Sequence, residues 1–456
     1  MFEKEDGALR AVAWSEVCPW LAIFRTFRLA VGFRVLLLGA VATLLTALVW
    51  GFFGLVFSLP PEQAEANLSP SAGGTRVAYS PATLWTKQYA GDPWRAVTDE
   101  LVPDAPQLPG VPRARELESL ESSLAKPATW QPGDPVFGPW SQLSRPLWEI
   151  FHWRATLRDL ACLLLCGLSS LAVWAFFGGA ITRIAAVQLA SDERIGWMTA
   201  LRFACRKWPS YFAAPLFPLL GIALAAVPVV VLGLVMKANM GAFLVGLVWL
   251  PALVLGFVMA LLLLGLVFGW PLMFPTISAE GTDSFDALSR SYAYVYQRPL
   301  HYLFYAVVAA GFGALGWLLV KNFAAGVVAL SYWAASWGSG AERMADLMAA
   351  GTPLAGIAGA GAVLIHVWAG CVKLLAVGFL YGYFWTAATV IYYLLRRDVD
   401  ATEMDEVFLD AEESERSAAL PPLKTEEADT PAVAEQPPQP APERSPEPDS
   451  GPQANP

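Results

Sequence analysis

This sequence is poor in charge and in cysteine, and each shortage excludes a class of protein. Charged residues fill only 15% of the 456 positions and apolar residues fill 56%, whereas a typical soluble domain is about 25% charged. That balance excludes a simple soluble enzyme. Five cysteines are too few for a disulfide-rich scaffold. The composition is that of a membrane protein with several spans.

Motifs of the common enzyme classes are also missing. The three histidines, at positions 152, 301 and 366, lie on different segments, and no H-E-x-x-H, G-x-S-x-G or P-loop pattern occurs. Cys162 and Cys166 are one helical turn apart, but two thiols without a nearby histidine make a poor metal site. We therefore expect a protein that is not an enzyme, with no catalytic residue, no metal and no cofactor.

Long uncharged runs predict six transmembrane helices. A bilayer core of about 30 Å needs about 20 apolar residues in a helix. The runs that qualify cover residues 35–59, 160–181, 211–236, 242–277, 302–320 and 356–395. The fourth and the sixth are long enough to contain an extra helix, so seven or eight helices stay open. The first begins too far from the N-terminus for a cleaved signal peptide, and we interpret it as a retained anchor.

Five segments follow from these spans. We predict a cytoplasmic N-terminal segment (1–34), a first span (35–59), an extracytoplasmic loop rich in proline and tryptophan (60–156), a transmembrane bundle (157–397) and a cytoplasmic tail (398–456). We expect the loop to lie over the bundle rather than to fold as a separate domain. Because tryptophan suits the headgroup zone, its last part, Phe137–Trp153, is expected to lie along the outer leaflet.

Basic residues set the orientation of the spans. The N-terminal segment has five Lys or Arg, the loop after the second span has five, and Arg396 and Arg397 follow the last span, whereas the alternate short connections have one or two. Cytoplasmic loops carry the excess of positive charge. This bias places both termini in the cytoplasm, as an even number of spans requires. We expect a multi-pass protein of the bacterial inner membrane.

Two cytoplasmic loops share a pattern that predicts an internal repeat. In each, a glutamate (Glu193 or Glu280) lies seven residues before an Ala-Leu pair, and an amphipathic helix follows. The predicted fold is all-α, with six transmembrane helices and two parallel repeats, at about 160–240 and 242–330. Each repeat consists of a span, a cytoplasmic amphipathic helix and a second span. The amphipathic helices either lie in the membrane interface or, as we favour, pack under the bundle.

The second loop also carries a resemblance to a known group. In this loop a span is followed by Glu280, then by the pair Ala287-Leu288 and by Ser291, and then by a new span. Over residues 160–395 this resembles a broad group of bacterial multi-pass membrane proteins, which includes the membrane domain attached to some glycerophosphodiester phosphodiesterases. The first loop departs from it, with Ala204 in place of the serine. The soluble phosphodiesterase domain is missing here, so the resemblance implies architecture and not hydrolysis.

Four residues near the cytoplasmic ends of spans are candidate binding residues at the interface between the repeats. Glu193 and Glu280 stand at the ends of two spans, where each either favours the dipole of the following helix, which we prefer, or joins the other in an acidic site for a cation or a cationic headgroup. Pro271 and Pro275 are expected to break the fourth span. Broken helices at a repeat interface are typical of transporter sites, although prolines also occur in membrane helices without such a role.

Lys373 and His366 are the remaining candidates, because ionisable residues inside a span are costly. They are seven residues apart and share one helical face. If the sixth span ends at Leu395, Lys373 falls near the outer interface. We favour a side chain that reaches out to the headgroups over a functional one.

The C-terminal tail is strongly acidic, which bears on how the protein binds partners. Residues 398–456 have 16 acidic and three basic side chains, a net charge of −13, while the other residues carry +4. Such a segment is expected to be disordered, either as a solubilising tail or as a docking arm held by a short ordered anchor at Glu403–Leu409.

These patterns favour one function and leave a second open. We expect a non-enzymatic membrane scaffold that contacts membrane lipid, binds a protein partner through the tail and the amphipathic helices, and binds no nucleic acid. The alternative is a transporter of a small solute or a lipid, with its site at the repeat interface.

Overall fold

Helices dominate the structure. The computed structural model describes residues 18–57, 68–70, 76–78, 86, 89–98, 134–150, 156–192, 194–348 and 356–409. The helices within these residues are α1 (Arg25–Ala30), α2 (Phe33–Val56), α3 (Pro93–Thr98), α4 (Phe137–Ile150), α5 (Leu157–Ala190), α6 (Trp197–Val235), α7 (Asn239–Leu247), α8 (Leu250–Glu280), α9 (Ser284–Gln297), α10 (Pro299–Ser339), α11 (Ala341–Met348) and α12 (Ile357–Asp400). A 3-10 helix, Pro19–Phe24, precedes α1, and two short strands, β1 (Leu68–Pro70) and β2 (Arg76–Ala78), pair antiparallel.

Six of these helices are long and apolar enough to cross a membrane. They are α2, α5, α6, α8, α10 and α12, with 24 to 44 residues each. Their number confirms the six predicted spans, and the protein is an all-α, multi-pass membrane protein. The tract at 242–277 also contains part of the short helix α7, whereas the tract at 356–395 belongs to a single helix, α12.

The two predicted amphipathic helices differ in the structure. The second is the separate helix α9, capped by Asp283, whose Oδ1 accepts the backbone N–H groups of Phe285 and Asp286 at 3.1 and 3.0 Å. The first is not separate, because α6 continues from Trp197 through Pro209 into the third span. Neighbouring helices let membrane helices tolerate internal proline. The two-repeat organisation stays a prediction.

The predicted break of the fourth span at Pro271 and Pro275 is wrong. Helix α8 continues through both prolines to Glu280. Pro271 has no N–H, so the carbonyl of Val267, four residues earlier, loses its helical partner. The indole Nε1–H of Trp140 donates to that carbonyl at 3.0 Å. A tryptophan from another helix thus replaces the missing backbone bond.

Helix α4, which supplies Trp140, packs against α5 and α12. Asp134 caps its first turn, with Oδ1 accepting the N–H groups of Val136 and Phe137, both at 2.8 Å. Further along, Pro146 lies against Gly167 of α5. The segment predicted to lie along the outer leaflet, 137–153, forms helix α4 as far as Ile150, and its place in the membrane stays a prediction.

Helix α12 is the centre of the core. From Ala376 to Leu395 every residue except Tyr381 is buried, and α12 contacts α2, α5, α8 and α10. Two glycines bring α2 and α12 together: a Cβ on Gly39 would lie only 2.4 Å from the carbonyl oxygen of Gly378. Backbones approach this closely only where side chains are missing, as is common in membrane helix packing.

Candidate functional site

A large apolar cavity lies between α4, α8, α9, α10 and α12. Its volume is about 850 Å³, within the range of ligand pockets, about 300–1,000 Å³. We call it the lateral cavity. Its wall includes Trp140, Phe268, Pro271, Tyr302, Ala306 and Ala388. Of the residues that the sequence singled out, Pro271 therefore contributes to a cavity beside the fourth and fifth spans, whereas Pro275 is not among its lining residues.

The wall of the lateral cavity is apolar because its polar groups are satisfied elsewhere. The hydroxyl of Tyr302 donates to the carbonyl of Phe268 at 2.9 Å, and that of Tyr296 donates to Leu261 at 2.7 Å. Both rings face the cavity while their hydroxyls are bonded to the backbone of α8. An occupant would meet hydrocarbon and aromatic surface, with few free hydrogen-bonding groups.

One side of the lateral cavity opens to the outside of the bundle. Several lining side chains on α8 and α10 are exposed apolar groups: Leu264, Phe268, Leu300, Leu303 and Val307. They lie on helices long and apolar enough to span a membrane. The opening is thus continuous with the apolar outer face of the spans. A second, smaller cavity of about 150 Å³ lies between α4, α5, α6 and α8, and it is also lined mainly by apolar side chains.

Glu280 is the centre of an ion-pair network at the end of α8. Its Oε2 lies 2.8 Å from Nη1 of Arg290, and its Oε1 lies 3.4 Å from Nε of Arg396. The hydroxyl of Tyr392 also donates to Oε1 at 2.5 Å. The Glu280 side chain is only 9% exposed. Its carboxylate therefore links α8, α9 and α12.

This geometry bears on both predicted roles of Glu280. Asp283, and not Glu280, caps α9, and the dipole role of Glu280 stays a prediction. Two guanidinium groups already balance the Glu280 charge, which leaves little attraction for a cation. Glu193, its predicted partner in an acidic site, lies outside the described residues.

The chain beyond α12 folds back onto this network. The N–H of Phe408 donates to the carbonyl of Ala279 at 2.7 Å, and the Phe408 ring covers Gly281. Gly281 has φ +65°, a conformation that favours glycine. Arg396 also donates to the carbonyl of Glu406 at 2.9 Å. The anchor predicted at 403–409 is thus in contact with the end of α8, while residues 410–456 lie outside the described part.

Two tyrosines fix the end of α12 to its neighbours. Tyr294 of α9 donates to Oδ2 of Asp400, and Tyr305 of α10 donates to Oδ2 of Asp398 at 2.8 Å. Burial, followed by the hydrogen bond to the Asp400 carboxylate, raises the pKa of the Tyr294 hydroxyl far above its usual value. The Tyr294 hydroxyl therefore stays protonated at physiological pH and is the donor in this hydrogen bond.

Sequence reasoning missed a buried arginine. Arg183 has no exposed surface; its Nη1 donates to the carbonyl of Ser278 at 2.6 Å, and its guanidinium lies 4.1 Å from the ring centre of Phe203. The hydroxyls of Thr182 and Tyr211 meet the Ser278 hydroxyl at 2.6 and 2.7 Å. Arg183 looked like an ordinary charge at the end of a span. Its partners are up to 95 residues away, and no local pattern indicates them.

Lys373 and His366 have different surroundings although both lie on α12. Lys373 is 4% exposed, so the favoured interpretation, a side chain that extends to the headgroups, is wrong. His366 is exposed, and its Nδ1 lies 2.8 Å from the carbonyl of Ala362, one turn earlier. Neither residue is among those that line the lateral cavity.

The comparisons with known proteins identify no related protein. No protein-family model, no curated protein and no solved structure matches the chain. The resemblance to the broad bacterial group therefore stays a prediction. Within the described residues, no group of three or more His, Cys, Asp or Glu side chains is placed to hold a metal ion.

Proposed function

We propose that this protein binds the acyl chain of a membrane lipid in the lateral cavity, in a role without a catalytic step. The observation that carries the proposal is the apolar cavity of about 850 Å³ between α8, α10 and α12. It develops the alternative from the sequence, a lipid site beside Pro271. The proposal extends to lipid transfer only if the bound chain exchanges with the bilayer.

The physical chemistry of the cavity favours hydrocarbon over water. A water molecule needs two to four polar partners, and apolar cavities stay dry and take up apolar molecules instead. A void also deprives its lining atoms of dispersion contacts. Since the cavity opens beside exposed Leu300, Leu303 and Val307, the nearest source of hydrocarbon is a lipid tail in the surrounding bilayer.

Filling the cavity tests the proposal. Ala306→Trp places a large ring where a small side chain lines the cavity. The amount of lipid that co-purifies, or that cross-links through a photoactivatable acyl chain, is expected to fall by about tenfold, which corresponds to about 1.4 kcal/mol of binding free energy.

The matched control is Ala314→Trp, which lies on the exposed outer face of the same helix. It should leave lipid binding and the unfolding temperature unchanged. If Ala306→Trp folds normally and still retains lipid at the wild-type level, acyl-chain binding in this cavity is refuted.

A scaffold role is the second candidate, and the anchor favours it. Phe408 holds the start of the acidic tail against the end of α8, and Glu406 accepts a hydrogen bond from Arg396 of α12. A partner bound to the tail would thus be kept near the membrane helices. Truncation after Leu409 keeps the anchor and removes residues 410–456. Loss of a co-purifying protein partner on this truncation would support the scaffold, and retention of every partner would refute it.

We also propose that both termini lie in the cytoplasm and that the membrane is the inner membrane. The alternation of Lys and Arg between the connections supports this. The exposed Cys205 serves as a reporter. In a variant whose other cysteines are replaced by serine, an impermeant maleimide should not label Cys205 in intact cells. After Ser122→Cys the new thiol should be labelled from outside; the reverse pattern would invert the topology.

A further inference from the structure

The opening of the lateral cavity adjoins two cationic or polar side chains. Pro299 and Leu300, the first residues of α10, line the cavity. Arg298 immediately precedes them, and His301 follows on the same turn. Both side chains are exposed. Arg298 and His301 therefore lie within one helical turn of two residues of the cavity wall.

Arg298 differs from the arginines of the neighbouring network. Arg290 and Arg396 are both paired with Glu280. Across the described ranges, no carboxylate forms an ion pair with Arg298. The acidic groups at the end of α12 accept hydrogen bonds from tyrosines. Among the described residues, Arg298 is thus an exposed guanidinium without a paired carboxylate.

We propose that Arg298, with His301 beside it, binds the phosphate of an anionic phospholipid whose acyl chain fills the lateral cavity. This rests on the proposed function and adds the class of lipid. A guanidinium binds phosphate through two parallel N–H donors, which gives geometric as well as electrostatic selectivity. The first turn of α10, a helix of 41 residues, adds positive potential at the same place.

The occupant is a lipid and not a soluble phosphate, because the charge and the apolar cavity adjoin. A free phosphate ion would gain nothing from Leu300 or Leu303, whereas a phospholipid uses both parts of the site. Basic pockets between membrane helices on the cytoplasmic side are a known setting for anionic headgroups. The predicted orientation places the loop at Arg298 on that side.

Binding of two short-chain lipids to the full-length protein in detergent tests the headgroup site. The probes are dioctanoyl phosphatidylglycerol, which carries an anionic phosphate, and dioctanoylglycerol, which has the same acyl chains and no phosphate. The wild type is expected to bind the phosphate-bearing lipid about tenfold more tightly. Arg298→Gln should abolish this preference and leave the affinity for dioctanoylglycerol unchanged. His301→Gln should reduce the preference by less.

A variant that removes the same charge elsewhere distinguishes a specific headgroup site from general electrostatic attraction of anionic lipid. Arg202 is exposed on α6 and is not part of the cavity wall, so Arg202→Gln should retain the full preference. If Arg298→Gln also retains it, the headgroup site is refuted while acyl-chain binding stands. If Ala306→Trp leaves both lipids bound as in the wild type, the proposed function itself fails. Displacement of the anionic lipid by an equal concentration of inorganic phosphate would instead identify a soluble-anion site and overturn the proposal.

Discussion

Glu280→Gln is expected to destabilise the protein by about 3–5 kcal/mol, the usual cost when one partner of a buried ion pair is removed. The amide cannot balance Arg396, which is only 11% exposed, or Arg290. The lost contacts join three helices, so the unfolding transition as a whole should shift. Thermal unfolding in detergent, followed by tryptophan fluorescence, measures the effect.

Two further variants make this prediction specific. Glu342→Gln removes the same charge from an exposed position on α11 and should change stability by less than about 0.5 kcal/mol. Combining Glu280→Gln with Arg396→Gln removes charges of both signs and should recover part of the loss. If Glu280→Gln unfolds at the wild-type temperature, the network contributes nothing to stability.

Gly39→Ala is expected to cost about 3 kcal/mol, because the new methyl group would lie 2.4 Å from the carbonyl oxygen of Gly378. The obstacle is backbone, so no rotamer change relieves it. Helices α2 and α12 would have to separate along their contact. The free energy of unfolding in detergent, from titration with a denaturing surfactant, is the measurement.

The matched control is Gly326→Ala on α10, where a Cβ would meet no atom within 4 Å. Alanine is the better helix former, so this change should stabilise the helix by up to about 1 kcal/mol. A loss of stability at Gly39 together with a gain at Gly326 would identify the close backbone contact as the cause. Equal changes in stability at both positions would contradict the close contact between α2 and α12.

The spans could be predicted from sequence because their signal is local. A run of some 20 uncharged residues is sufficient to indicate a membrane helix. The N-cap of α9 is local in the same way, because aspartate, here Asp283, is among the residues preferred at a helix start. The anchor at 403–409 has a similar local signal, because Met404, Val407, Phe408 and Leu409 are apolar residues within an acidic tail.

Contacts between distant segments could not be predicted. Arg183 and Ser278 are 95 residues apart, and Glu280 and Tyr392 are 112 apart. Each side chain has several plausible local roles, and only the packing of the helices selects one. The error at Pro271 has the same origin. The proline correctly indicated a lost backbone bond, but the replacement donor, Trp140, belongs to another helix.

That indole has a mechanical consequence. Trp140 forms part of the cavity wall and also holds α8 through Val267. An occupant that widens the cavity must push against this ring, and the ring cannot shift far without breaking its hydrogen bond to Val267. Filling the lateral cavity is therefore expected to move α4 and α8 together.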